Sequence, residues 1–343
     1  VDEMSWDDLD KVHYDWPSVQ EVRNYRHQVR ALILNILEHA PLTLPLNWQN
    51  PWWTIIMGIE HERIHLETSS VLIRQHALEH VRQHPQWRAN IITGMAPDNS
   101  LLPVPEGEIH LKKDFNDPFY GWDNEYGQHE AQVAAFAASK YLVSNQEFLA
   151  FVEAGGYQTE HYWNEEGLGW LQFSQAAYPC FWRKTKSGWS LRLMLEEVPM
   201  PWDWPVEVNY HEAKAFCQWK SQQLGKNIRL PTEDEWYRLY AISDLDPHLP
   251  SPEQANIELK YGTSSCPVDH FKQGDFYDIQ GNVWQWTETP IYPFQGFQVH
   301  PFYDDFSTPT FDGRHNLMKG GSWISAGNEA LYSSRYAFRR HFF

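Results

Sequence analysis

Long apolar runs are missing from this sequence. No stretch approaches the roughly 20 consecutive apolar residues that a membrane-spanning helix requires, and Val1 to Asp10 holds neither the basic nor the apolar part of a secretory signal. Cysteine is scarce as well. Cys180, Cys217 and Cys266 are the 3 cysteines in 343 residues, too few and too scattered for a disulfide framework or a Cys-x-x-Cys metal site. Positive charge is short: 27 Lys and Arg face 45 Asp and Glu, and the net charge of -18 repels nucleic-acid phosphates and anionic membrane surfaces alike. These shortages describe a cytoplasmic protein that binds neither nucleic acid nor membrane. Both ends look cut, since the chain opens at Val1 without a methionine and closes on Arg339-Arg340-His341-Phe342-Phe343 without a polar tail.

What is present divides into two regions, about 1–95 and 96–343. In the first, Val19, Val22, Val29, Leu32, Ile33, Ile36 and Leu37 follow helical spacing, and Ser18 with Glu21 has the form of a capping box. This predicts a helix from about Ser18 to His39. Three prolines between Pro41 and Pro51 end it, after which Trp52 to about His84 has no Pro and only Gly58 as an interruption, predicting a second long helix. Two long helices joined by a loop imply a helical bundle.

After Pro85 the texture changes to short apolar runs punctuated by Gly, Pro, Asn and Asp, with tryptophans throughout. An irregular α+β domain with aromatic core filler fits this best. Helices are predicted at Ser144 to Glu153 and at Tyr210 to Leu224, the latter burying Ala213, Phe216, Cys217 and Leu224.

His61 and His65 sit four apart in the second predicted helix, on one face and close enough to share a metal ion. Trp52, Trp53, Ile55, Ile56, Met57 and Ile59 make the helix largely apolar before the pair, and imidazoles on a buried helix need partners. The same His61-Glu62-Arg63-Ile64-His65 also spells the HExxH of zinc peptidases, with Glu62 as general base. The metzincin extension is absent, because Thr68 and Val71 stand where it needs Gly and His; Glu79 remains open as a third ligand.

The run from His61 to Gln75 contains His-x3-His-x-Glu and resembles the iron-binding segment of the ovothiol sulfoxide synthases, whose helical part is DinB-like. The resemblance implies that His61 and His65 bind Fe(II), with a third histidine on an earlier helix, upstream of Val1. His13 is not assigned that role. The second region is similar to the formylglycine-generating-enzyme variant of the C-type-lectin fold. The runs that carry this likeness include Phe119-Tyr120-Gly121-Trp122-Asp123-Asn124-Glu125, Arg229-Leu230-Pro231-Thr232-Glu233-Asp234-Glu235-Trp236, Gly281-Asn282-Val283-Trp284-Gln285-Trp286-Thr287 and Gly320-Gly321-Ser322-Trp323. Fold does not settle chemistry, and a non-catalytic lectin-like binding module stays open. Formylglycine formation uses a cysteine pair late in the domain, and no cysteine follows Cys266.

Phe302 to Pro309 resembles the segment that places a tyrosine beside the iron in sulfoxide synthases. Tyr303 falls on that tyrosine, and its phenol can donate a proton or hydrogen bond where Phe cannot. Phe306 in the same segment, with Arg335 and Arg339, are the substrate-binding candidates, an arginine fork being the natural partner of an amino-acid carboxylate. The implied reaction joins the sulfur of L-cysteine to the imidazole of L-histidine with O2 as co-substrate. Related ergothioneine-pathway synthases take trimethylated histidine, some with γ-glutamylcysteine. They often carry Gln where this chain has Ile64, and γ-glutamylcysteine users carry an acidic residue near Arg335. Both departures favour free histidine and free cysteine.

Overall fold

The computed structural model describes residues 16–186 and 188–343; His13 lies outside them. Helix α1 spans Val19–His39, and the Ser18–Glu21 capping box forms as predicted, with the Ser18 hydroxyl accepting from the Glu21 amide and the Glu21 carboxylate from Ser18 N–H. Its apolar stripe stays uncovered: no residue of α1 is buried, and Val19 and Leu32 are more than half exposed. The described residues of this region therefore show two α-helices, a single 3-10 turn at Leu78–His80 and no closed bundle.

Helix α2 spans Trp52–Gln75, nine residues shorter than the expected end at His84. His76 turns extended, and its carbonyl accepts from the Arg192 guanidinium at 3.2 Å, so a tertiary contact ends the helix before Pro85. The expectation that α2 is buried around its apolar start is corrected too. Trp53 and Met57 are buried, but Ile59, Leu66 and Leu72 are exposed, because one stripe alone packs against the rest of the chain.

The larger region is a set of small antiparallel sheets held by helices. Strands β1 (Leu101–Val104) and β4 (Phe136–Ser139) pair, as do β2 (Gly107–Lys113) and β3 (Gly127–Val133). A three-stranded sheet has the order β5 (Trp182–Thr185), β6 (Gly188–Arg192), β7 (Glu197–Pro199), and a two-stranded one joins β8 (Lys272–Gln273) to β9 (Phe276–Tyr277). The sheet that borders the site runs β10 (Gln285–Pro290), β11 (His315–Lys319), β12 (Tyr336–Arg339). Among them lie α3 (Asn145–Glu153), α4 (Glu165–Ser174), α5 (Tyr210–Leu224) and α6 (Glu233–Ala241). On α5, Phe216 and Cys217 are buried as expected. Ala213 is half-buried and Leu224 is exposed; Ala215 and Trp219 fill the core instead.

Aromatic side chains do the filling. One core gathers Phe148, Phe151, Trp163, Trp182 and Phe216, and another gathers Trp236, Tyr237 and Tyr240 over the β2–β3 hairpin residues Ile109 and Val133. A third, with Trp48, Trp53, Met57, Trp122, Tyr126 and Tyr336, joins α2 to the larger region. Truncating one such side chain, for example Trp53→Ala, would cost about 3–5 kcal/mol. Gly281 and Asn282 both take the left-handed backbone of a tight turn, with φ of 88° and 70°. The Asn282 amide then bridges Cys266 and Asp278, which ties the turn to the loops beside it. Among the described residues, no helix is long and apolar enough to cross a membrane.

Candidate active site

Helix α2 presents two faces to the larger region. Trp53, Met57, Glu60, Ile64, Glu67, Val71 and Arg74 recur at alternating four- and three-residue steps, which keeps them on one stripe of the helix. Three members are charged, and each finds partners across the seam. Glu60 accepts from Arg63 and from the Asn328 amide at 3.0 Å, where Gly327 (φ 61°) allows the close approach. Glu67 accepts from Trp284 Nε1 at 2.6 Å, Ser325 Oγ at 2.8 Å and Ser322 Oγ. Arg74 forks onto Glu207 at 2.6 and 2.8 Å, donates to the Arg192 carbonyl and lies over the Phe181 ring.

About a quarter-turn around the helix are His61, His65 and Thr68. The imidazole centroids of His61 and His65 are 4.5 Å apart at 83° to one another. His61 is half-buried and His65 exposed, so neither imidazole is enclosed as a buried helix would have it. Two nitrogen donors one helical turn apart fit two positions of a mononuclear metal site. Among the described residues, no group of three His, Cys, Asp or Glu side chains converges as a ligand set. Glu62 and Glu79, on which the peptidase reading depends, are exposed and stand outside the cavity wall described below.

Tyr303 stands against the pair, its hydroxyl 3.3 Å from His61 Nε2. The loop that carries it is fixed from the Phe119–Glu125 run. Phe306 stacks on Trp122 at 3.8 Å and 17°, and the Trp122 indole donates to the Tyr336 hydroxyl at 2.7 Å. Ser307 Oγ donates to the Asp123 carboxylate and accepts from Asn124 Nδ2 at 3.0 Å. Burial raises the Asp123 carboxyl to about 6, against the lowering effect of the Ser307 bond. Sequence reasoning used this run for fold alone; the roles of Trp122, Asn124 and Ser307 appear only once the loops are in place.

The two arginine candidates separate. Arg335 is almost wholly buried and holds Glu233 with two bonds, Nε at 2.8 Å and Nη2 at 3.1 Å, while Nη1 donates to the Asn124 and Tyr292 carbonyls. Burial alone would raise the Glu233 carboxyl, but Arg335 outweighs it and holds that group below its usual value. The sequence-based reading of Arg335 as a substrate fork is corrected: its fork is filled by Glu233. Arg339, half-buried at the end of β12, faces His315 of β11 in the strand register.

One cavity of about 220 Å³ brings these side chains together. Its wall includes His61, His65, Tyr303, Phe306, Arg335 and Arg339, together with His315, overlooked in the sequence. This is below the roughly 300–1,000 Å³ of sites for drug-sized ligands and suits compact substrates. A larger cavity of about 890 Å³ shares Ile64, Thr68, Tyr336, Phe338 and Phe342 with it and reaches to Lys220 and Leu224 on α5.

Hercynine oxygenase of Mycobacterium tuberculosis is 31% identical over 226 residues, covering 59% of this chain and 48% of that protein. Hercynine oxygenase of Mycolicibacterium thermoresistibile is 27% identical over 347 residues, covering 93% and 71%. Ergothioneine biosynthesis protein 1 of Neurospora crassa is 24% identical over 398 residues, covering 91% and 44%. The chain thus spans about half the length of the first of these relatives. Residues 93–342 match the family described as the sulfatase-modifying factor enzyme 1-like domain, and the chain belongs to that family.

Proposed function

We propose that this protein is an iron- and oxygen-dependent synthase that couples the sulfur of a cysteine-type thiol to the imidazole carbon of a histidine-type substrate, leaving the sulfur as an S-oxide. The observation that carries the reading is the shared cavity of His61, His65, Tyr303, Phe306 and Arg339. It is supported by the similarity to proteins named hercynine oxygenase and ergothioneine biosynthesis protein 1. The reaction balances as thiol plus imidazole C–H plus O2 giving the sulfoxide and one water. Forming the C–S bond removes two electrons and two hydrogens, oxidation at sulfur takes two more electrons, and O2 accepts all four.

Iron(II) held by His61 and His65 would supply the oxygen chemistry and a meeting point for thiolate and imidazole. The rest falls to the chain. Tyr303 holds a phenolic proton 3.3 Å from His61 Nε2, beside the reacting groups. Phe306, clamped on Trp122, gives a flat apolar wall for an imidazole ring. Arg339 offers a guanidinium to an amino-acid carboxylate. Holding the substrates in one small chamber turns a many-body encounter into reaction within a single complex.

For the substrates, Ile64 on the cavity wall supports free L-histidine with L-cysteine, the ovothiol-type reaction. Arg335 gives this choice no further support now that its fork is filled. The names of the relatives support the alternative, in which the histidine is trimethylated. Metal analysis and oxygen uptake on the intact protein test the proposal. Iron, with uptake that requires a thiol and an imidazole substrate together, is the expected result. Zinc with peptide cleavage, or no metal and no uptake, would overturn it.

A further inference from the structure

The wall of the site cavity carries one polar side chain to which the proposed chemistry gives no part. Asn124 lines the cavity and is 2% exposed. Its backbone carbonyl accepts from Arg335 Nη1 at 2.7 Å, and its side-chain Nδ2 donates to Ser307 Oγ at 3.0 Å. The direction of the second bond is fixed by the group behind it. Asp123, raised to about 6, is ionised above that pH and can only accept, so the single Ser307 hydrogen goes to Asp123 and Ser307 Oγ accepts from Asn124. The amide is thereby held with its NH2 toward Ser307, and Oδ1 is left buried without a donor among the described residues. Buried acceptors are nearly always paired, so one carried by a cavity-lining residue marks the place of a donor on the substrate.

The surroundings of this atom say which donor it suits. Trp122 and Asn124 belong to one segment and Phe306 and Ser307 to another, so the same two segments build the stacked aromatic wall and hold the acceptor beside it. A flat wall with an acceptor next to it matches a flat ring with an N–H in its plane. We propose that Asn124 Oδ1 accepts the ring N–H of the imidazole substrate lying on Phe306, and so fixes both the orientation and the tautomer of that ring. A neutral imidazole has one N–H and one lone pair; with the N–H given to Asn124, the lone pair is on the other ring nitrogen, available to the iron that the proposed function places on His61 and His65. The consequence is selectivity. Five-membered rings without an N–H are refused even where their size, ammonium and carboxylate match. This inference rests on the reading of the cavity as a site for an imidazole-bearing amino acid and names the group that recognises the ring.

A ligand pair and two variants isolate the contact. L-thiazolylalanine, in both ring isomers, has sulfur in place of the ring N–H and keeps one ring nitrogen, the α-ammonium and the carboxylate. Dissociation constants for it and for L-histidine are measured by calorimetry well above pH 6, where Asp123 is ionised, on the intact, iron-loaded protein without oxygen, with thermal melting as a check on folding. The wild type should favour L-histidine about 5- to 100-fold, the worth of one buried acceptor left unpaired. Asn124→Ala should weaken L-histidine and leave thiazolylalanine within about twofold, closing most of the gap. Asn124→Asp keeps an oxygen but gives up the bond to Ser307, and it should retain a preference for L-histidine. Equal affinity of the wild type for the two ligands, a gap that survives in Asn124→Ala, or a gap that vanishes in Asn124→Asp would overturn the contact and leave the proposed chemistry standing. Equal weakening of both ligands in Asn124→Ala would do the same, since it would show that Asn124 packs or meets the ammonium instead. Binding of neither ligand to the wild type would overturn the amino-acid site itself and this contact with it.

Discussion

The indole N–H of Trp284 donates to the Glu67 carboxylate at 2.6 Å, joining α2 to the loop that opens β10. Ser322 and Ser325 supply two more donors to the same group. A carboxylate with three donors uses every oxygen it has, and a neutral amide cannot accept from all of them. Glu67→Gln should therefore lower stability by about 1–3 kcal/mol. Ser325→Ala combined with it should show a coupling of about 0.5 kcal/mol or more in a double-mutant cycle by urea unfolding. Additive losses would show that the three bonds are not one unit.

His61→Ala and His65→Ala should each remove bound iron while leaving the melting temperature close to wild type. His65 is exposed and His61 half-buried, so neither truncation opens a core. Iron per chain is read by mass spectrometry after anaerobic loading. A His65→Ala protein with full iron content would remove that residue from the ligand set.

Tyr303→Phe keeps the ring beside Phe306, 5.4 Å away, and deletes only the hydroxyl near His61. Iron and both amino acids should still bind. Loss of one placed proton donor costs about 10²–10⁴ in rate, and oxidation of the thiol substrate alone to a sulfinic acid should gain at the expense of the coupled sulfoxide. Product ratios by liquid chromatography decide this; an unchanged ratio and rate would reduce Tyr303 to packing.

Arg335→Lys and Arg339→Lys should fail in different ways. The first breaks the buried fork on Glu233 and should cost about 3–5 kcal/mol of stability. The second should raise KM for the carboxylate-bearing substrate with little change in melting temperature. The reverse pattern would restore Arg335 as the substrate-facing arginine.

Asp123 gives a pH signature. Its carboxyl is raised to about 6 in the folded chain from an ordinary 3.8, so the fold binds this proton more tightly than the unfolded chain does. The penalty for its charge is present in full above pH 6 and disappears as pH falls toward 4, amounting to about 2–3 kcal/mol. Wild type should therefore gain stability relative to Asp123→Asn as pH drops from 7 to 4, measured by chemical unfolding. A constant difference would show that the carboxyl titrates normally.

The sequence displayed some of this openly. Ser18 and Glu21 are three apart and need nothing beyond the first turn to cap α1, so that end was readable. The end of α2 was not, because it depends on Arg192, 116 residues away from His76. The seam of α2 was written in regular steps, yet Glu60, Glu67 and Arg74 break its apolar pattern and only their partners show why. His61 and His65 stood out by their spacing, Tyr303 and Phe306 by the resemblance of their segment and Arg339 by its chemistry, and the five share a cavity. Arg335 looked equally available. Its Glu233, 102 residues earlier, sat inside a run valued for fold, and nothing in local spacing ties the two. His315 gave no motif at all; its place follows from strand pairing.

The stripe of α2 that docks and the stripe that bears His61 and His65 occupy the same turns of the same helix. A helix advances 1.5 Å and rotates 100° per residue, so a slip of one residue along the seam would swing both imidazoles off Tyr303 by far more than the tolerance of any catalytic contact. The charged steps of the seam act as index marks, since Glu60, Glu67 and Arg74 each recognise a different partner and a shifted register would mismatch all three together. Under the proposed function, alignment of His61 and His65 against Tyr303 is thus delegated to contacts outside the smaller cavity, and damage at Glu207 or Ser325 would register as lost turnover in a protein whose site side chains are all present.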